Sequence, residues 1–125
     1  MRFMMFMIPN IRDENWMPSA EAVAAMSRYN EALSKAGMLL SLDGLHPPGK
    51  GARVSFKGGK PMVTDGAGGA AKGAIGGYWM IEAKSQADAI EWASRCPAAE
   101  GDVIEVRQVF EMADFPEEVR KAAGR

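Results

Sequence analysis

Two segments of the chain carry apolar side chains at both alternating sets of positions. Residues 3–8 read FMMFMI, and residues 78–83 read YWMIEA. Successive side chains of an extended strand point to opposite faces of a sheet, so each segment is apolar on both faces. This pattern is typical of strands that are buried on both sides rather than facing water on one.

Two other segments repeat apolar residues at helical spacing. The first follows Pro18, which suits the first position of a helix, and ends at Gly37, a residue common just past a helix end. The second begins after Ser85, a helix-capping residue with Asp88 three positions on, and ends before Pro97. The apolar faces are predicted to hold Ala22, Met26, Tyr29, Leu33 and Ala36 in the first helix, and Ala89, Trp92, Ala93 and Cys96 in the second.

The remaining segments predict strands and a loop. Residues 38–42 and 103–110 predict two further strands. Residues 53–57 and 60–64 flank a Gly-Gly pair and predict a β-hairpin. The segment DGLHPPGKG between them and the earlier strand is expected to be a loop, because paired prolines cannot donate to a strand ladder.

Without the hairpin, the order of elements is βαββαβ, which predicts an α+β, ferredoxin-like sandwich with two helices on one face of an antiparallel sheet. The chain has 125 residues, enough for one domain with a real core. We expect that domain in residues 1–112 and a helical tail in residues 113–125.

A two-layer sandwich leaves one sheet face uncovered, yet the first and central strands are apolar on both faces. An exposed apolar patch of that size is unusual for a monomer. We therefore expect a homodimer in which a second copy covers the open face by two-fold, sheet-on-sheet packing.

Charge and cysteine content limit the function classes. The net charge is −1, so nothing favours nucleic acid as a partner, and no apolar run is long enough to cross a membrane. The opening apolar run is too short for an export signal. A single cysteine forms no internal disulfide, which favours a cytoplasmic location.

The last predicted strand carries two charged residues that are candidates for a functional site. If Ile104 and Val106 face the helices, Glu105 and Arg107 face the open side of the sheet. Two interpretations remain open: the two charges pair with each other or with a second subunit, or Arg107 binds an anionic ligand.

His46 is the only histidine and follows Asp43 by three residues in the proline-rich loop. Its side chain suits proton transfer near neutral pH, and Asp65 is a candidate acidic partner. The alternative is that His46 is a solvated loop residue and that Asp65 belongs to an ordinary Asp-Gly turn.

The sequence predicts no metal site and no cofactor, since one histidine and one cysteine do not make a ligand set.

The glycine-rich segment of residues 63–83 reads VTDGAGGAAKGAIGGYWMIEA. It fails the P-loop pattern, because Lys72 is followed by glycine, and it leads into a strand rather than a helix that could hold a pyrophosphate. Gly76 and Gly77 are predicted to let another backbone approach closely.

This segment resembles the signature of the DGPF proteins, a branch of the YCII-related family, whose motif DGPFAETKE precedes a G-G-Y-x-x-I pattern. The matching positions are Asp65, Gly66, Lys72, Gly76, Gly77, Tyr78 and Ile81. GLHPP at 44–48, DAIEWASRCPAA at 88–99 and IEVRQV at 104–109 add to the resemblance. It implies a ferredoxin-like fold that forms a dimeric α/β barrel.

The chain departs from that motif at Ala67, Gly68, Ala70, Ala71 and Gly73, so the polar side chains between Asp65 and Lys72 are lost. Some relatives resemble small-molecule enzymes with a histidine and an aspartate near a cleft. Many genes of the branch lie beside those of extracytoplasmic-function sigma factors. The resemblance carries no settled activity.

We therefore expect a pocket for a small polar or anionic molecule near the dimer interface, with acid–base chemistry as its potential activity. The predicted catalytic residues are His46 and Asp65, and the predicted ligand-binding residues are Asp43, Lys72, Tyr78 and Arg107. The alternative is a non-catalytic regulatory protein linked to a sigma factor. Whether the protein is an enzyme stays open.

Overall fold

A computed structural model describes residues 1–10, 17–65 and 73–124. These residues form six strands and three α-helices, with short 3-10 turns at Pro48–Lys50 and Met112–Asp114. The strands are β1 (Arg2–Ile8), β2 (Leu39–Gly44), β3 (Ala52–Lys57), β4 (Lys60–Asp65), β5 (Gly77–Glu82) and β6 (Val103–Gln108), and the helices are α1 (Ala20–Lys35), α2 (Gln86–Ser94) and α3 (Glu117–Ala122).

Four strands form an antiparallel sheet in the order β2-β5-β1-β6, and β3 and β4 form a separate two-stranded hairpin. With α1 and α2 between the strands, this is the predicted α+β order with an inserted hairpin, consistent with a ferredoxin-like fold. The turn between β3 and β4 also matches the predicted hairpin. Gly58 and Gly59 both have positive φ, as a tight Gly-Gly turn requires.

Both long helices cover one face of the sheet. Phe3 and Met5 of β1 lie opposite Ile81 and Trp79 of β5, and all four side chains are buried. They share one core with Tyr29 and Leu33 of α1 and Ala89 of α2. The helices are also joined directly, because the Tyr29 hydroxyl donates a 2.6 Å hydrogen bond to the Trp92 carbonyl.

The helix ends follow from local sequence. Ser19 caps α1 by accepting from the Ala22 amide at 3.1 Å, so Pro18 lies just before the cap rather than at the first helical position. Ser85 caps α2 in the same way, with the Asp88 amide at 3.1 Å, as predicted. Gly37 follows α1 with φ of 74°, also as predicted.

The predicted bounds differ most in β2. The Asp-Gly pair at 43–44 lies inside the strand rather than in the following loop, because Asp43 pairs with Tyr78 and Gly44 with Gly77. Tertiary pairing therefore overrides the weak strand preference of Asp and Gly. The buried face of α1 is also narrower than predicted, since Ala22 and Ala36 are exposed.

The other face of the four-stranded sheet, which we call the open face, carries Met4, Phe6 and Ile8 of β1 with Tyr78 and Met80 of β5. These five side chains are half-buried in a single chain. None of the helices in the described part of the chain is long and apolar enough to span a membrane.

Candidate functional site

Asp43 and Tyr78 lie directly opposite each other on the neighbouring strands β2 and β5. The Tyr78 hydroxyl donates a 2.7 Å hydrogen bond to Oδ2 of Asp43 on the open face. This bond, with partial desolvation, raises the pKa of Tyr78 above its ordinary value, because the bonded carboxylate favours the neutral phenol. The pair therefore presents a protonated phenol and a carboxylate whose second oxygen is available to another donor.

Two adjacent glycines hold the strand ends around this pair. The Gly76 amide donates to the Met7 carbonyl at 2.8 Å, and the Leu45 amide donates to the Gly76 carbonyl at 2.9 Å. A Cβ atom on Gly77 would stand 2.9 Å from the Asp43 carbonyl oxygen, and one on Gly76 would stand 3.0 Å from the Pro9 ring. The predicted close approach of another backbone is thus confirmed at Gly77, whereas a Cβ on Gly76 would meet the side chain of Pro9.

A small cavity of about 130 Å³ adjoins this junction and includes His46 in its wall. The other lining residues come from the same junction and from the two residues before the Ser19 cap of α1: Pro9, Met17, Pro18, Leu45, Pro47, Pro48, Ala74, Ile75 and Gly76. The wall is largely apolar, with the imidazole as its one titratable side chain among the lining residues. Such an apolar pocket with few polar groups is the usual form of a small-molecule site.

The two segments that form the hydrogen-bonded pair also supply part of the cavity wall. Residues 43–46 supply Asp43 to the sheet and His46 to the cavity wall, and residues 75–78 supply Ile75 and Gly76 to the wall and Tyr78 to the sheet. The open-face pair and the cavity are therefore parts of one local structure, although the two lie on successive residues of each segment.

Arg107 lies on the open face, with β1 between its strand and the strand of Tyr78. Two inter-strand spacings correspond to about 10 Å between the backbones. Its guanidinium approaches Glu105 at 3.9 Å, the limit of an ion pair, and remains 71% exposed. Such an exposed pair contributes little to stability, so Arg107 remains able to bind another anion.

Asp65 is not among the described residues that line the cavity. It is the last residue of β4, lies opposite Ala52 in the hairpin, and is exposed. Within the described part of the chain, no hydrogen bond or ion pair joins Asp65 to His46. Lys72, the other predicted residue of the glycine-rich segment, lies outside the described residues, as do residues 66–71.

Cys96 is half-buried and has a thiol of low reactivity. Desolvation is the main cause that raises its pKa to about 11, and its Sγ lies 3.8 Å from Sδ of Met26. A thiol with this pKa is protonated at neutral pH and is a poor nucleophile.

Among residues 1–10, 17–65 and 73–124, no three His, Cys, Asp or Glu side chains gather into a potential metal site.

Sequence reasoning found the members of the Asp43–Tyr78 pair but not their contact. The missing information is the register between β2 and β5, which depends on a bulge between Leu39 and Ser41. Pro9 and Ile75 were not predicted as part of a site, because nothing local in the sequence shows that the ends of β1 and β2 meet near the segment before β5. A Gly-Gly pair ahead of Tyr78 was the one local signal for this junction.

Comparisons with known proteins give one family. The sequence model of the YCII-related domain matches residues 1–113, which is most of the chain. A search of curated proteins found no match.

Proposed function

Because the chain belongs to the YCII-related domain family, we propose that it binds a small polar or anionic molecule at the junction that holds His46, Asp43 and Tyr78. Within that family we assign it to the DGPF branch, on the positions from Asp65 to Tyr78 that match the branch's signature. We further propose that it acts in the cytoplasm as a homodimer, with the ligand near the subunit interface.

One observation supports the binding site above the others. The same two chain segments supply the cavity that His46 lines and the neighbouring hydrogen-bonded pair of Asp43 and Tyr78. Three side chains with different proton-donor and acceptor properties thus come from one junction, which is the kind of arrangement that a binding or catalytic site needs.

The chemistry proposed for the site is proton transfer. Histidine is the side chain that most often serves as a general acid or base, so His46 is the proposed proton-transfer group. Tyr78 acts as a hydrogen-bond donor, because its raised pKa keeps the phenol protonated. Asp43 accepts from Tyr78 and orients it. Arg107, on the same sheet face, supplies a positive charge for an anionic group.

The proposed dimer is supported by the composition of the open face. Its centre is apolar along β1 and β5, and its charged residues, among them Asp43 and Arg107, stand on the edge strands β2 and β6. An apolar centre with a polar rim is the usual composition of a protein interface. Two open faces packed together would bury the apolar centre and bring the edge charges to the border of the contact.

A ligand screen by thermal shift tests the binding proposal. A molecule present at about a hundred times its Kd stabilises the folded chain by about 2.7 kcal/mol, which raises the Tm by several degrees. We expect small carboxylates or phosphates to raise the Tm of the wild type and not that of His46→Ala. Lys35→Ala, an exposed substitution on α1, is the matched control and should respond like the wild type. A library that shifts no wild-type Tm would refute the proposal.

The second candidate function is a non-catalytic regulatory protein linked to an extracytoplasmic-function sigma factor. One observation favours it: the cavity of about 130 Å³ is smaller than the roughly 300–1,000 Å³ of typical ligand pockets. Affinity capture with the full chain separates the two functions. Recovery of a sigma factor, unaffected by His46→Ala, would favour regulation, and recovery of the chain alone would count against it.

A further inference from the structure

The hairpin of β3 and β4 has one apolar and one polar face. Val54 pairs with Val63 and Phe56 with Pro61, and these four side chains form what we call the apolar hairpin face. The pair of Ala52 and Asp65 lies on the same face at the open end of the hairpin. The opposite face carries the three cations of the hairpin, two hydroxyl residues and one methionine: Arg53, Ser55, Lys57, Lys60, Met62 and Thr64. The alternation is that of a ribbon made to cover an apolar surface on one side.

The apolar hairpin face is exposed in a single chain. Phe56 is 76% exposed, Val63 68% and Val54 53%. An isolated two-stranded hairpin is at best marginally stable in water, so a ribbon of this kind needs a surface to pack against. An exposed cluster that includes an aromatic residue is a usual feature of an interaction site.

The distribution of charge favours a second copy of this chain as the surface on which the apolar hairpin face packs. Residues 50–65 hold four cations and one carboxylate, whereas residues 100–105 hold three carboxylates and no cation. These oppositely charged segments adjoin opposite edges of the four-stranded sheet, because the hairpin follows β2 and the acidic segment contains the start of β6. The two edges are about 14 Å apart, beyond one Debye length at physiological salt, so the attraction is stronger between copies that bring the edges together.

The topology shows how two copies could meet. If two open faces pack about a two-fold axis parallel to the strands, β2 of each copy lies over β6 of the other. Gly44, at the end of β2, lies in the same cross-strand row as Gly77, Met7 and Ile104, near the start of β6. The chain that leaves β2 would therefore start above the partner's Val103, which is 54% exposed and pairs with Ile8 on the open face, and the hairpin begins after seven intervening residues, at Ala52.

We propose that the apolar hairpin face docks on a second copy, over the corner of the open face that Ile8 and Val103 form, beside the acidic segment of residues 100–105. The proposal rests on the proposed dimer and adds to it a specific contact. In the proposed dimer each hairpin extends over the partner subunit. The same hairpin also borders the junction that holds His46 in its own chain.

Sedimentation equilibrium of the full chain tests this contact. We expect the wild type to be dimeric at micromolar concentration and Phe56→Ser to raise the dimer Kd by about tenfold or more, as for loss of an aromatic interface residue. Met62→Ser is the matched control: Met62 is 54% exposed on the opposite face of the same hairpin and should leave Kd within about twofold of the wild type.

The outcomes distinguish this contact from the dimer itself. A dimeric wild type whose Kd is unchanged by Phe56→Ser overturns the hairpin contact and leaves the dimer intact. Equal weakening by Phe56→Ser and Met62→Ser also overturns it, because the effect would then come from hairpin folding. A monomeric wild type refutes both, and monomers that bind vesicles of phosphatidylcholine and phosphatidylserine would assign the amphipathic hairpin to a lipid surface instead.

A charge reversal tests the proposed location on the partner. Glu100→Lys, in the exposed loop before β6, should raise the dimer Kd about threefold or more, because it places a cation beside the cationic hairpin. Glu31→Lys, on α1, is the control and should have no such effect. Equal Kd values for the two variants would remove the acidic segment as the docking position.

Discussion

Tyr78 donates a hydrogen bond of 2.7 Å to Asp43 across the β2–β5 pair, on the face of the sheet that the helices leave open. Strand pairing places the two side chains opposite each other, and the bond favours the neutral form of Tyr78. The carboxylate stabilises the neutral phenol and makes Tyr78 a donor rather than a base. A ligand at this junction would therefore meet one fixed donor and one carboxylate.

The titration of Tyr78 should reflect this bond. We expect its phenol to ionise above the ordinary tyrosine range, and Asp43→Asn to lower that midpoint towards the ordinary value. Because the folded-state pKa is raised, the bond stabilises the fold below pH 10 and this contribution is lost as pH rises through the folded-state pKa. Ultraviolet titration of the wild type and the variant, with Tyr78→Phe to identify the signal, gives the measurement. Equal midpoints in wild type and Asp43→Asn would contradict the assignment.

Replacing Gly77 should disrupt the junction, and replacing Gly44 should not. A Cβ on Gly77 would stand 2.9 Å from the Asp43 carbonyl oxygen, whereas one on Gly44 has no atom within 4 Å. We expect Gly77→Ala to lower the free energy of unfolding by about 1–3 kcal/mol, as overpacking usually does. Gly44→Ala, on the opposing strand, is the matched control and should change it by less than about 0.5 kcal/mol. Urea denaturation measures both, and similar losses would contradict the close approach.

Cys96 should react slowly with a thiol reagent at neutral pH. Its pKa is raised to about 11, mainly by desolvation, so little thiolate forms below pH 9. The raised pKa stabilises the fold below pH 9, and that contribution is lost between about pH 9 and 11. The rate with an aromatic disulfide should rise towards pH 11 in the folded chain and reach its maximum at lower pH in urea. A fast reaction at pH 7 in the folded state would be inconsistent with this burial.

Substitution of a buried residue of α1 should lower the free energy of unfolding. Leu33 is fully buried among side chains of β1, β5 and α2. Leu33→Ala should therefore lower the free energy of unfolding by about 2–5 kcal/mol. Val23→Ala in the same helix, at a position 50% exposed, provides a control with a loss near 1 kcal/mol or less. If the two losses in urea denaturation were equal, α1 would not pack on the sheet through Leu33.

The fold could be predicted because its main signals are local. The apolar runs of β1 and β5, the Ser85 cap and the positive-φ glycines of the hairpin each act within a few residues. Element order then limits the topology to a few choices, and the family match over residues 1–113 agrees with the one chosen.

The site was less predictable because its contacts join distant segments. Asp43 was expected in a loop, yet pairing with Tyr78 places it in a strand. His46 meets Pro9 and Ile75 in one cavity, although these three residues come from segments far apart in sequence. The proposed partnership of His46 with Asp65 stays a prediction, as does the role of Lys72.

The most direct test of the proposed site uses the single histidine of the chain. Because His46 is the only histidine, its imidazole resonances in a ¹H–¹³C spectrum come from one known position in the cavity wall. We predict that small anions that raise the Tm also shift these resonances in a saturable manner, with the same Kd. Ligands that raise the Tm and leave the His46 resonances unchanged would contradict a binding site at this junction.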